Sequence, residues 1–577
     1  MKKRWLCLLF ALLLVLSACG PGNETPDTTK SPTASTNGTF TDPTGDLPSD
    51  STTIPSTRPP VETPTNPPVD YPTVPPSEPP VDYPTTPPSE PPIDPPKDPP
   101  TDNTCKQHAD QDNNGVCDLC YKSVLVFFDF YTINDLHGKL ADADTHIGVD
   151  ELTTFLRNAR KNDEHAIFLS SGDMWQGSPE SNLTNGLIIT DWMNDLGFTA
   201  MTLGNHEFDW GEDAIKLNAQ AAKFPLLAIN VYDRDTNKRV EYCQSSVVVE
   251  GDGLQIGIIG AIGDCYSSIA SDKSAGVYFK TGKDLTDLIK AEADRLRQQG
   301  VDYIIYSIHD GYGSSSSGTA TSVNGSALSS YYDVSLSNGY VDLVFEGHTH
   351  QGYRLVDQYG VYHLQNRGDN KGGISHVEIS INIIDYSSKV RVAELVSTSK
   401  YQNMEDDPIV QQLMDKYKDQ ISKANQVVGY NSLYRNRDVM RQFAADVYYR
   451  AGLEAWGDKY DIVLGGGFMS IRAPGYLAAG QVTYGDLQAL FPFDNDLVLC
   501  SVKGRDLLSK FIQTSNDNYF ISGYDDRNID RNATYYIVVD TYSAYYAPNR
   551  LTVVEEYEKG IYARDLLAEF IEAGGLA

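Results

Sequence analysis

Val124-Leu125-Val126-Phe127-Phe128-Asp129-Phe130-Tyr131-Thr132-Ile133-Asn134-Asp135-Leu136-His137-Gly138 is the stretch from which the architecture is read. Val124 to Phe128 is a nearly continuous apolar run, as a strand buried on both faces requires, and a polar cluster closed by glycine follows within a few residues. Comparable runs recur at Ala166 to Leu169, Leu226 to Ile229, Leu254 to Ile262, Tyr303 to Ile308 and Leu343 to Phe345. Helical periods lie between them, at Leu152-Phe155-Leu156 and at Leu285-Ile289-Ala293-Leu296. Strands alternating with helices predict an α/β domain.

Further along, Asp407-Pro408 offers an N-cap and a first helical residue, and Ile409, Leu413, Met414, Tyr417 and Ile421 follow at helical spacing. This predicts a single helix, within 406–426, joining two domains. Residues 427–577 again mix a helix, Asp438 to Arg450, with strands at Asp461 to Leu464, Leu497 to Val502 and Thr534 to Asp540.

The chain has 577 residues, a prior of about four domains before non-globular segments are set aside. Lys2-Lys3-Arg4, the apolar stretch Trp5 to Leu16 and Ser17-Ala18 read as a secretory leader over 1–18 rather than a membrane span. Leu16-Ser17-Ala18-Cys19-Gly20 resembles the lipobox of bacterial lipoproteins, which makes Cys19 the expected lipid anchor on the outer face of the cell membrane. Residues 19–104 are rich in Pro, Thr, Ser and Asp and have too few apolar side chains to offset the entropy of ordering. Within them Pro67-Pro68-Val69-Asp70-Tyr71-Pro72-Thr73 and the Pro-Ser-Glu segment after it return from Pro79 to Glu90. Polyproline II at about 3.1 Å per residue would set a domain on the order of 200 Å from the anchor, enough to project through a cell wall.

The formal net charge is −32, and removal of the leader takes three positive charges and no acid with it. Such acidity repels nucleic-acid polymers and anionic lipid headgroups, which leaves Cys19 as the expected membrane contact. No later run reaches the 18 or more apolar residues that a span needs. Of eight cysteines, Cys7 and Cys19 fall in the leader region, Cys105, Cys117 and Cys120 cluster, and Cys243, Cys265 and Cys500 are scattered, which is no disulfide framework. The 105–120 cluster admits three readings. Cys105, His108, Cys117 and Cys120 have the spacing of a small structural zinc site. Asp110-x-Asp112-x-Asn114-Gly115 matches the start of an EF-hand loop, but Tyr121 stands where a bidentate Glu is needed. A disulfide knob is the third.

Five of the ten histidines sit in short polar clusters, most of them just after a strand run: Asn134-Asp135-Leu136-His137-Gly138, Gly204-Asn205-His206-Glu207-Phe208-Asp209, His309-Asp310-Gly311 and Gly347-His348-Thr349-His350, with Gly172-Asp173 alongside. In an open α/β sheet, ligands converge beyond the carboxyl ends of strands. Carboxylate, imidazole and amide donors without thiolate suit Zn, Mn, Fe or Co. Asp135-x-His137 and His348-x-His350 on extended backbone would each point two donors to one side. Two ions about 3.5 to 4 Å apart need a bridging carboxylate, which would be Asp173, and such a pair activates water and clamps a phosphoryl group in an in-line displacement. Glu207 reads as a supporting or surface group and Asp310 as a support at most. His146, His165, His363 and His376 lie outside every cluster and read as ordinary surface or strand residues.

Together these motifs resemble the calcineurin-like metallophosphoesterases, and the Asn134 and Gly204 clusters resemble the 5′-nucleotidase / UDP-sugar hydrolase family in particular. The resemblance implies a four-layer α/β/β/α sandwich over 121–405 and a smaller α/β substrate-binding domain over 427–577. It implies one metal held by Asp135, His137, Asp173 and His350 and another by Asp173, Asn205, His309 and His348. It implies that His206, oriented by Asp209, steadies the phosphoryl charge and leaving group.

In the second domain, Arg437 and Arg441 open a helix whose N-terminus is already positive, a placement that calls for an anion or for salt bridges to nearby Asp. The pair is similar to the family's phosphate- and ribose-contacting arginines, and Arg472 resembles its third. Pro492-Phe493-Asp494-Asn495 resembles the motif in which Phe stacks on the base and Asn reads its edge, with Tyr542 as the opposite face. Such stacking contributes about 1–3 kcal/mol and tolerates any base. Two segments depart from the family: Phe468 to Ile471 lengthens the step from Gly465-Gly466-Gly467 to Arg472, and Tyr545 to Asn549 replaces a Gly-rich Asp loop. The Gly/Ser stretch from Gly311 to Gly325 could shape or lid the entrance.

The expected protein is an exported, lipid-anchored enzyme that hydrolyses nucleoside 5′-phosphates with two divalent ions, its domains moving about the connecting helix. Rivals are a 2′,3′-cyclic phosphodiesterase with 3′-nucleotidase activity, a UDP-sugar hydrolase, and a surface nucleotide-binding protein on an inactive scaffold. The sequence leaves oligomeric state open.

Overall fold

A computed structural model describes residues 108–142, 148–312, 340–357, 359–368, 373–469, 471–472, 474–545 and 551–576. The leader, Cys19, the proline-rich repeat, Cys105, His146, Asn549 and most of the Gly311–Gly325 stretch lie outside these residues. No described helix is long and apolar enough to cross a membrane.

The opening apolar run becomes the strand Leu125–Ile133. It lies in a six-stranded mixed sheet, parallel to Ile167–Ser170 and, through that strand and Ala200–Thr202, to Leu226–Leu227. On its other side it runs antiparallel to Ile374–Asn382, which pairs with Ser388–Val396. A second six-stranded sheet has the order Tyr353–Val356, Tyr362–Gln365, Leu343–Phe345, Tyr303–His309, Leu254–Ile262, Ser246–Gly251. Phe128, Phe130, Ile167 and Leu169 of the first sheet meet Ile256, Ile258, Ile305 and Phe345 of the second in one buried cluster. The outer face of the first sheet packs on the helices Asp150–Asn162 and Leu187–Leu196, and that of the second on Gly282–Gln298. These contacts make the four layers α/β/β/α, because each sheet has an apolar face on either side to cover.

The connecting segment is not one helix. It comprises Ile409–Lys416, Lys418–Ile421 and the turn Ser422–Asn425, interrupted at Tyr417. Ile409, Leu413, Tyr417 and Ile421 are buried against the first sheet's outer layer, and the Tyr417 hydroxyl donates to Asp191 at 2.6 Å. Docking that ring accompanies the break in helical continuity. Asp407 does serve the start, accepting from the Ile409 N–H at 3.0 Å.

The C-terminal part is a five-stranded sheet, Tyr519–Ser522, Ile462–Phe468, Thr534–Asp540, Leu497–Lys503, Thr552–Glu556, covered on one face by the helix Arg437–Trp456. Successive residues Val538 and Val539 fall in different buried clusters, one on each face.

Candidate active site

The polar clusters converge where the strands of the first domain end, but not on extended backbone. The strand stops at Ile133, and Asp135, His137, Asp173, His348 and His350 all have left-handed φ, between 50° and 73°. Such conformations cost on the order of 1–3 kcal/mol each in a residue with a side chain and persist only where surroundings fix them. Backbone bonds between the two loops do so here: Asp135 N to Gly172 O at 2.9 Å, His137 N to Asp173 O at 3.0 Å and Gly138 N to Met174 O at 2.8 Å. A turn in each motif, not strand alternation, brings the donors together. Glycine is required where loops touch. A Cβ on Gly204 would overlap the Asp173 carboxylate and amide, and one on Gly347 would press on the His309 ring.

The seven expected ligands lie in one pit. Ligand atoms of Asp135, His137 and His350 fall within 4.8 Å of one another, as do those of Asp135, Asp173 and His309. Asp173 stands between the groups, its Oδ2 3.0 Å from His309 Nε2 and 4.0 Å from His137 Nε2. Asn205 Oδ1 is 3.2 Å from His309 Nε2 and 2.9 Å from His348 Nδ1. The chemistry of this set fits divalent cations. His137 Nδ1 is 2.9 Å from the Gln176 carbonyl and His309 Nδ1 2.6 Å from that of Ser171, so each ring spends its Nδ1 proton outward and turns Nε2 inward. His137 Nε2 there faces His350 Nε2 at 3.1 Å, nitrogen against nitrogen. Without a cation such nitrogens are reconciled by protons. Burial opposes a charge on His309, but Asp173 beside it prevails and pushes it up to about 10. Asp173 itself is held well below the usual carboxylate range by His309 and His206 in spite of burial. Divalent ions bound by these donors would take the place of those protons.

Of the two readings given to Glu207, the supporting one describes it, whereas Cys265 carried no signal in sequence. Glu207 is buried and accepts from the amides of Asp173 at 2.9 Å, Met174 at 2.9 Å and Gly204 at 2.6 Å, so it shapes the loop that carries Asp173. Burial, then the charge of Asp173, pushes its carboxyl up to about 7. Cys265 lies beside His309 and His348 and donates its thiol to the His309 carbonyl at 2.9 Å, with burial holding the thiol protonated. Of the two readings given to His363, surface or strand, the strand one describes it: it lies buried in Tyr362–Gln365 with Nδ1 2.8 Å from Glu346.

His206 lies at the rim. Its Nδ1 is 2.7 Å from Asp209 Oδ2, and Arg472 Nη2 of the second domain donates to its Nε2 at 2.9 Å. Burial lowers the His206 pKa, yet Asp209 and Asp173 outweigh it and the net direction is upward. Phe493 lies nearly parallel to the His206 ring, centroids 6.0 Å apart, and the Arg472 guanidinium is 5.5 Å from the Phe493 ring centre. The lengthened step to Arg472 therefore does not keep it from the site. A cavity of about 290 Å³ runs from Asp173, Asn205, His348 and His350 to Phe493, Asn495 and Tyr542.

Arg437 and Arg441 do not line this cavity. The helix N-terminus is capped by the Asn436 side chain, which accepts from Val439 N, and Asp438 adds negative charge in the first turn. Arg441 is engaged by Met469 O at 3.0 Å, Asn518 Oδ1 at 2.7 Å and Asp438 at 3.2 Å. The salt-bridge reading describes Arg441, and the helix end needs no external anion. Arg564, which no motif signalled, does line the cavity. It is buried, pairs with Asp494 at 2.5 Å and donates to the carbonyls of Phe491 at 2.9 Å and Phe493 at 3.3 Å, so it holds the loop that carries the aromatic face.

Residues 129–352 match the calcineurin-like phosphoesterase family. The chain is 26% identical over 426 residues to the protein UshA of Yersinia enterocolitica, covering 65% of this chain and 74% of that one. It is 25% identical over 423 residues to an apyrase of Tabanus yao, covering 66% and 72%. A putative 5′-nucleotidase of Staphylococcus aureus shares the fold, with a TM-score of 0.60 at 18% identity over 78% of this chain and 98% of that one. Residues 129–352 thus carry a calcineurin-like phosphoesterase domain, and this match together with the 5′-nucleotidase and UshA homologues indicates a phosphoester hydrolase.

Proposed function

We propose that the protein hydrolyses nucleoside 5′-phosphates to a nucleoside and inorganic phosphate. The observation that carries this reading is the shared cavity, which has carboxylate and imidazole donors at one end and an aromatic face with an amide at the other. Two divalent ions held by Asp135, His137, Asp173, Asn205, His309, His348 and His350 would supply an ionised water near neutral pH and neutralise phosphoryl charge. The chain's own groups do the rest. Asp209 fixes the His206 tautomer, and His206 with Arg472 meets the phosphoryl oxygens and the departing ribose oxygen. Phe493 and Tyr542 offer faces to the base, and Asn495 an edge. A side-by-side assay of AMP, a 2′,3′-cyclic nucleotide and UDP-glucose tests the assignment. AMP should be turned over fastest, and preference for either other ester would replace it with the corresponding rival activity.

The leader and the Cys19 context support a lipid-anchored enzyme outside the cell. Metabolic labelling with a radioactive fatty acid should mark the wild type and leave Cys19→Ala unlabelled, and equal labelling of both would remove the anchor from Cys19.

A further inference from the structure

The segment ahead of the first strand has a structure of its own. Val116 bridges to Ser123, Val124 N donates to Gly115 O at 2.9 Å, and a Cβ on Gly115 would press on Leu125, so this knob is seated on the start of the strand Leu125–Ile133. Its turn uses its own carboxylates. Asp110 accepts from the amides of Asn114 at 2.9 Å and Gly115 at 2.8 Å, and Asp118 from that of Gln111 at 2.8 Å. The turn brings one imidazole and two sulfur atoms together: ligand atoms of His108, Cys117 and Cys120 lie within 4.8 Å of one another, with Cys120 Sγ 3.6 Å from His108 Nδ1. Ala109 N points at Cys117 Sγ at 3.4 Å, the kind of amide donation that supports a thiolate.

We propose that His108, Cys117 and Cys120 hold a zinc ion that fastens this knob to the catalytic domain, separate from the donors around Asp173. Two cysteine sulfurs with two residues between them and a nearby imidazole are the donors of structural zinc sites, and their softness favours zinc over the hard cations. The fourth member of the sequence pattern, Cys105, lies outside the described residues. The strand between knob and active site is on the order of 30 Å long at about 3.3 Å per residue, so the ion has no part in hydrolysis.

The test uses the full-length chain. Metal analysis should find one zinc fewer per chain in Cys117→Ser/Cys120→Ser than in wild type, with turnover of a phosphate ester within about twofold. Exchange of the wild type into cobalt should produce thiolate-to-metal charge-transfer absorption that the double variant lacks, a readout that holds even if the variant folds poorly. An unchanged metal count, absence of that absorption in the wild type, or thiol titration showing Cys117 or Cys120 oxidised in a disulfide would overturn the proposal.

Discussion

His206 is placed by neighbours from two domains: Asp209 on Nδ1, Asp173 on its amide and the His137 ring from one, Arg472 on Nε2 and the Phe493 ring from the other. A positioned acid or base of this kind is worth about 10²- to 10⁴-fold. His206→Ala should therefore lose turnover by that factor while metal content stays at the wild-type level, and a variant with unimpaired turnover would strip His206 of its role. Arg564 gives a second outcome at this scale. Replacing it with Met leaves Asp494 partly buried without its partner and frees the Phe491 and Phe493 carbonyls, so unfolding should become about 3–5 kcal/mol easier. KM for a nucleotide should rise more than KM for a simple aryl phosphate, and equal changes would detach Arg564 from the aromatic face. All seven donors were legible as motifs because their residue types and spacing carry chemistry. Arg564 was not, since a buried arginine bonded to loop carbonyls leaves no local pattern. The geometry of Asp135 and His137 was misread for a related reason. The strand pattern ends at Ile133, and a left-handed turn in a non-glycine residue has no mark in sequence.

Among the elements, Leu254–Ile262 and Leu343–Phe345 coincide with apolar runs because both faces of those strands are covered, and Thr534–Asp540 is a strand as read. The antiparallel pair Ile374–Asn382 and Ser388–Val396 escaped notice because one face of the outer strand stays wet and its sequence alternates instead. His376 shows how that pair is tied to the first strand. Its Nε2 is 2.5 Å from Asp129 Oδ1 across the ladder, and its ring stacks on Tyr131 with centroids 4.5 Å apart. Burial lowers its pKa, but the bond to Asp129 and the nearby carboxylates raise it overall. With the folded value above the unfolded one near 6.5, the stabilisation is fully present below that pH and is lost as pH rises through the folded value. The difference in melting temperature between wild type and His376→Gln should thus be larger at pH 6 than at pH 9. A difference that grows with pH would contradict the pairing.

For the molecule as a whole, like charges and facing imidazole nitrogens are concentrated in one buried pit, and the folded state alone assembles them. Divalent ions should stabilise the protein by mass action, by about 2.7 kcal/mol at one hundred times the dissociation constant. Calorimetry with and without added metal measures this, and an identical melting temperature in a strong chelator would mean that the donors do not bind ions. The two halves meet at the same place, through Arg472 on His206 and through the Asn182 side chain, which donates to Pro492 O at 3.3 Å. One histidine thus answers to both parts of the chain. Should the halves separate to release a product, that histidine would keep Asp209, Asp173 and the His137 ring but lose Arg472 and Phe493, and the empty enzyme would idle until a new molecule drew its far wall back into place.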